Sequence, residues 1–293
     1  MMWMIVQALI NGLLTGGIYA LVSVGITILF GVMRIVNFAA GEFVTIGMYM
    51  TYVAFLLTGL EPYFLFPIAI ICMIVIAVIS YSLCIQPLLK KKADGSSFIL
   101  VTVGLSFVLL NLLQIVFGTI QKSIPSALKT SSINLAGWYI LVPRLIAFVV
   151  ALCLVCLLSV LLGKTKFGRS MRATSENEEV SQMLGINTQR VFLYSFIISI
   201  VFLGLAGLLL TPVYSIGPTS GSSVKTIALM IVVLGGMGSI KGALIAGLLV
   251  GIAESYVASF VSSDIGPVGV FIVFLIVVYF KPQGLFGRRE RIA

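Results

Sequence analysis

The chain of 293 residues contains no histidine. That absence removes imidazole acid–base catalysis, histidine metal ligation and proton relays built on imidazole. Charge is scarce as well. Only 9% of residues are Asp, Glu, Lys or Arg, and the nine acids lie mostly in loops or at the ends of apolar runs. No two acids stand three or four residues apart within an apolar run, so no carboxylate site is set up there. The four cysteines, Cys72, Cys84, Cys153 and Cys156, all fall inside apolar runs. The C-x-x-C of Cys153 and Cys156 therefore reads as small packing residues, with no redox or zinc role. The run G235-G-M-G-S-I-K-G242 superficially looks like a phosphate loop but lacks the Gly before Lys and the Ser or Thr after it. Neither a metal, a cofactor nor an enzymatic activity is expected of this chain.

What is present is apolar. With 60% hydrophobic residues and a mean hydropathy of +1.21, the sequence lies outside the range of soluble domains. Runs of about 18 or more apolar residues, long enough to cross a hydrocarbon core of roughly 30 Å, are expected near 5–30, 40–59, 64–86, 98–120, 141–162, 190–212 and 265–280. A stretch at 224–260 is ambiguous. The alternation of a membrane barrel is missing, so the fold class is an all-α polytopic integral membrane protein of about 8 transmembrane segments (7 to 10), a single domain over 1–293 in contact with membrane lipid. The first apolar run has no basic flank and no clear cleavage pattern, so it is expected to stay.

The net charge of +9 comes from basic residues in short loops beside the spans, which is a membrane-orientation signal and implies no nucleic acid. Loop 87–97 with Lys90, Lys91 and Lys92, loop 163–190, and the tail from Lys281 to Arg291 are expected to be cytoplasmic. The loop from Gln121 to Val142, with Lys122 and Lys129 before the edge residue Arg144, is expected to face outward. An even number of crossings, or none, is then required of 224–260. Two short helices joined at the glycine break L234-G-G-M-G-S-I-K-G242 meet that requirement better than one straight span.

A similar interruption opens the chain. F30-G-V-M-R-I-V-N-F-A-A-G-E42 places Arg34, Asn37 and Glu42 between two apolar segments. One reading is an ordinary cytoplasmic turn with a glutamate at a helix start. The other is a broken helix whose N-terminus and polar residues line a transport cavity. Glycine-interrupted segments thus occur in both halves, which hints at an internal repeat. Glu254, ten residues before Asp264, is expected to snorkel to the interface.

The remaining charge is concentrated between Gly163 and Arg190, which holds five of the 18 Lys and Arg and three of the nine acids. Its second half reads as a short helix. Ser175 with Glu178 forms a capping box, Gly185 suits the C′ position, and Val180, Met183 and Leu184 make one apolar stripe. Such a helix either packs on neighbouring loops or waits for a partner.

Four segments, I35-V-N-F-A-A-G-E-F43, R172-A-T with L184-G-I-N187, L234-G-G-M-G-S-I-K-G-A-L-I-A-G247 and K281-P-Q-G-L-F-G-R288, resemble the permease subunits of branched-chain amino acid ABC importers, the LivH type. The resemblance covers nearly the whole chain in the family's order. It implies a pathway-forming subunit that pairs with a second permease, expected to be a different chain. Substrate would come from an extracytoplasmic binding protein, and two cytoplasmic ABC ATPase subunits would drive transport. Ser175, Glu178, Val180, Met183, Leu184 and Gly185 then become the ATPase-coupling residues. Asn37, Phe38, Gly41, Glu42, Gly235, Gly236 and Gly238 become candidates for the translocation pathway. One position departs, because the family's first motif usually reads N-F-A-H-G-E and Ala40 stands here in place of histidine. An importer of urea or short amides is the rival within this class; a stand-alone secondary transporter or channel and a structural membrane subunit are rivals outside it.

Overall fold

The computed structural model describes residues 2–91, 93–126, 131–135 and 138–287. Lys92, Lys129 and the tail arginines Arg288, Arg289 and Arg291, on which part of the orientation expectation rests, lie outside the described residues. The chain forms helices α1 (Met2–Met33), α2 (Ala40–Thr58), α3 (Phe66–Ser80), α4 (Gln86–Lys90), α5 (Gly95–Phe117) and α6 (Val142–Lys164). Short helices α7 (Lys166–Glu176) and α8 (Glu178–Met183) follow, then α9 (Thr188–Leu210), α10 (Ser220–Gly235), α11 (Ile240–Phe260) and α12 (Gly266–Phe280). Strands β1 (Ser132–Leu135) and β2 (Trp138–Leu141) form one antiparallel hairpin, with Ser132 opposite Leu141 and Leu135 opposite Trp138.

Among the described residues, seven helices are long and apolar enough to cross a membrane. They agree with the expected spans through residue 212, and the fold is the all-α polytopic one. Two details differ. The span expected over 64–86 continues to Lys90 through a π turn at Tyr81–Ile85, because Pro87 has no N–H to give the preceding turn and the shifted ladder absorbs that loss. The segment expected as a span over 265–280 is a helix of only 15 residues, about 22 Å at 1.5 Å per residue and short of the hydrocarbon thickness. The ambiguous stretch resolves into α10 and α11 around a break at 236–239, with α11 as long as a full span.

Burial sorts the helices. In their most apolar 18-residue windows, α1, α9 and α2 are 83%, 72% and 67% buried, whereas α5 and α6 are 11% and 22% buried. The first three form the centre, and α5 and α6 turn Leu100, Phe107, Ile115 and Leu157 outward, as a lipid solvent permits. Glycine lets the central backbones touch. A Cβ at Gly12 would stand 2.6 Å from Ile252 Cα and one at Gly16 2.9 Å from Leu248 Cα, so α1 and α11 cross antiparallel through G12-x-x-x-G16 and G247-x-x-x-G251. Gly47 lies against Gly204, and Gly207 against Val44, in the same way between α2 and α9.

Contacts also define two ends. At one, Gln7 Nε2 donates to the Tyr139 carbonyl at 2.8 Å, Ser126 Oγ donates to Glu61 at 2.7 Å, and Lys122 and Ile216 exchange backbone bonds of 2.8 and 2.7 Å. At the other, Gly31 at the close of α1 lies beside Gly238, and Phe167 of α7 meets Tyr194 of α9 edge to face. Glu254 does not snorkel. It turns toward α1, where Tyr19 Oη donates to its Oε1 at 3.3 Å.

Candidate functional site

α1 stops at Arg34, which has φ +54°, a left-handed conformation that non-glycine residues rarely adopt. Residues 35–38 then run without i to i−4 backbone bonds between two apolar helices, yet Ile35 and Asn37 are buried. Irregular backbone is tolerated at such depth only inside protein, where its polar groups find partners. Here Thr102 Oγ1 donates to the Val36 carbonyl at 3.4 Å, and Asn37 Oδ1 accepts the Ala39 N–H at 3.0 Å, preparing the start of α2. Among the described residues the Asn37 amide nitrogen has no hydrogen-bond partner, and Asn37 lines a small cavity with Leu29, Met33, Ile85, Thr102 and Phe196. Phe38 is half-buried beside it, and Ala40 is fully buried.

Glu42 lies in the first turn of α2 and is 2% exposed. Lys225 of α10 meets it, with Nζ 3.1 Å from Oε1 and 3.4 Å from Oε2. The pair is short because glycine brings the two helices together. A Cβ at Gly41 would stand 2.6 Å from the Gly221 carbonyl oxygen, and the Gly221 N–H donates to Thr45 Oγ1 at 3.0 Å. A buried carboxylate in such a chain needs a cation, since an isolated charge out of water is far costlier than a paired one. Sequence reasoning found Glu42 and Gly41 and missed Lys225. The available signal was a lysine within the ambiguous apolar stretch, in S220-G-S-S-V-K225, with a glycine four residues before it.

The glycine break sits at the far end of α10, ten residues or about 15 Å from Lys225. Gly235 closes α10, Gly236 and Gly238 have φ +93° and +86°, and Ser239 Oγ accepts the Gly242 N–H at 3.1 Å to start α11. The final segment completes the break. Leu285 N–H donates to the Leu234 carbonyl at 2.7 Å and Phe286 N–H to the Gly235 carbonyl at 3.1 Å, which satisfies carbonyls that the end of α10 would leave open. The structure therefore groups Asn37, Phe38, Gly41 and Glu42 at the start of α2. Gly235, Gly236 and Gly238 form a second group, and α10 links the two.

The charged loop differs from its expected form. Ser175 does not cap a helix; it lies in the last turn of α7 and its Oγ donates to the Arg172 carbonyl at 2.8 Å. The cap of α8 is Asn177, whose Oδ1 accepts the Val180 N–H at 3.0 Å. Asn177 has φ −154°, so its extended backbone ends one helix and starts the next, and the competing capping box does not form. Glu178 instead accepts from Gln182 Nε2 at 3.1 Å and Thr188 Oγ1 at 3.4 Å, tying α8 to the start of α9. Gly185 has φ +80°; the Gly185 N–H donates to the Gln182 carbonyl and the Ile186 N–H to the Ser181 carbonyl, both at 3.0 Å, which is a Schellman closure. Held at both ends, α8 leaves Val180, Met183 and Leu184 at 48%, 85% and 74% exposed.

Span-length apolar helices around a non-helical segment, with an ion pair enclosed where α2 meets the shorter α10, are the architecture of a polytopic membrane protein. Sequence comparison is more specific. The chain belongs to the family described as branched-chain amino acid transport system / permease component, whose model matches residues 8–280. It is similar to the high-affinity branched-chain amino acid transport system permease protein BraD of Pseudomonas aeruginosa, with 30% identity over 97% of this chain and 96% of that one. Its identity to the LivH permease of Salmonella typhimurium is 29% over 97% and 96%. The probable LivH permease of Methanocaldococcus jannaschii is 30% identical over 87% of this chain and 82% of its own.

Proposed function

We propose that this permease forms part of the translocation pathway of an ATP-driven importer for branched-chain amino acids. The observation that carries the reading is α8, a capped helix on a charged loop between two spans, whose apolar face is left largely exposed by the described residues. An exposed apolar stripe on an element too short to fold alone is a docking surface. Its occupant in this reading is a cytoplasmic ABC ATPase, with Val180, Met183, Leu184 and the Gly185 closure as the coupling contacts and Asn177 and Glu178 as their supports. The loops at 87–97 and 163–190 and the C-terminus are then cytoplasmic. A second permease closes the pathway, and an extracytoplasmic binding protein delivers the substrate. ATP-driven approach of the ATPases rocks α7 and α8 against α9, and the glycine contacts between central helices permit two packings.

Co-expression with the ATPase and second permease, reconstitution into vesicles and measurement of labelled leucine uptake test the reading. Uptake should require ATP on the ATPase side and binding protein on the other. Uptake that proceeds without ATP hydrolysis would replace it with a secondary transporter, and uptake of a neutral amide in place of leucine would change the substrate.

A further inference from the structure

The Glu42 and Lys225 side chains are only partly used by each other. Among the described residues, both carboxylate oxygens of Glu42 take hydrogen bonds from Lys225 Nζ alone, and that ammonium has no other acceptor. A carboxylate offers about four acceptor sites and an ammonium three protons, so both have capacity to spare. The neighbouring hydroxyl does not fill it, because Thr45 Oγ1 donates to the Gly41 carbonyl and accepts from Gly221 N–H. The pair is also reachable. Glu42 is enclosed, but the Lys225 side chain is 18% exposed and lies one turn beyond Ser222. Thr219, Ser223 and Thr226 are exposed on the same two turns of α10, while the outward faces of α5 and α6 carry mainly leucine, isoleucine, valine and phenylalanine. A hydroxyl-rich, lysine-edged face on an otherwise apolar bundle is a face turned to water rather than to lipid.

We propose that Glu42 and Lys225 are the substrate's charge-binding pair, Glu42 receiving the α-ammonium and Lys225 the α-carboxylate of a zwitterionic amino acid by exchange of partners. This rests on the importer reading above. The lysine stem is flexible enough to withdraw toward the Ser222 side, and the zwitterion that enters between the charges replaces one ion pair with two. Neither buried charge is left alone before or after the exchange. A neutral amide satisfies neither side, and a solute with one charge strands the other partner, so the pair selects zwitterions by charge before any side-chain fit.

The complete transporter in ATP-loaded vesicles tests this with the double variant Glu42→Gln/Lys225→Met, which removes both charges together and leaves none buried. The expected result is an unchanged melting temperature and subunit stoichiometry with leucine uptake reduced at least about 30-fold. Full uptake by the double variant would make the pair a structural strut and overturn the proposal. A second measurement does not depend on how the double variant folds. In a background with Cys72, Cys84, Cys153 and Cys156 changed to serine, Ser222→Cys should react several-fold more slowly with a water-soluble maleimide during leucine turnover, and an unchanged rate would overturn the site. A parent complex that carries a neutral amide and not leucine would sink the importer reading and this one together, whereas leucine uptake insensitive to the double change would sink this one alone.

Discussion

Replacing Leu184 with aspartate separates a helix that serves a partner from one that serves its own chain. Leu184 is 74% exposed and Met183 85%, so the permease itself gains little from them. The substitution should therefore change the permease's own stability by no more than about 0.5 kcal/mol, as for other surface positions. Docked in an apolar groove, the three side chains of α8 are worth more. Full cover contributes about 1.5–3 kcal/mol per large aliphatic side chain; scaled by the area still open on Val180, Met183 and Leu184, the stripe supplies about 3–6 kcal/mol. That range corresponds to two to four orders of magnitude in affinity, at about 1.4 kcal/mol for each factor of ten. A carboxylate at 184 forfeits the leucine share and also enters the groove unpaired, which breaks the remainder. The assay pairs thermal melting of the isolated permease in detergent with titration of the ATPase onto the permease. An unchanged melting temperature with affinity lowered at least 100-fold is expected. An ATPase that still co-purifies and drives full uptake would refute the assignment of α8.

Single and paired changes at the buried charges should differ. Glu42→Gln alone leaves the partly exposed Lys225 without its carboxylate and should lower the membrane level and melting temperature, whereas adding Lys225→Met should restore both. Gly236→Leu places a side chain at φ +93° against the Gly287 backbone, so the segment 281–287 should come off α10, measured as faster proteolysis of the C-terminus together with lost uptake. Asn177→Ala removes the cap of α8 and should cost about 1 kcal/mol locally, read as faster amide exchange at Val180 with the spans unaffected. Gly247→Ile, set against Ala20 of α1, should destabilise the central crossing and lower the amount of folded permease extracted, with Gly163→Ala, which meets nothing within 4 Å, as the silent control.

The spans were readable because length and hydropathy act locally, residue by residue, and a bilayer of fixed thickness converts them into helices. The break at 236–239 was readable for a similar reason, since a cluster of glycines cannot continue an apolar helix cheaply. Lys225 was not, because its meaning depends on Glu42, 183 positions earlier, and no periodicity links the two. The crossing of α1 and α11 lay between these cases. G12-x-x-x-G16 and G247-x-x-x-G251 are visible as spacings, but only the fold shows that they face each other. In the loop, Gly185 marked its end correctly because a Schellman closure favours glycine, while two residues competed for the start and the extended backbone of Asn177 prevailed over Ser175.

The glycine crossing of the first and eleventh helices also imposes an order on manufacture. Gly251 leaves the ribosome some 239 residues after Gly12, about 10 to 50 s later at roughly 5–20 residues per second. Throughout that interval α1, destined for the centre, has no α11 to lie against. Two of its hydroxyls do not depend on the late arrival, for Thr15 Oγ1 donates to the Asn11 carbonyl at 3.0 Å and Ser23 Oγ to the Tyr19 carbonyl at 2.7 Å, each within its own helix, whereas Tyr19 Oη waits for Glu254 of α11. The first helix thus waits in the bilayer with its glycine face and the Tyr19 hydroxyl unmatched, and its closest backbone contact forms only when synthesis is nearly finished. A chain cut off before residue 240 leaves the Gly12 and Gly16 face of α1 open.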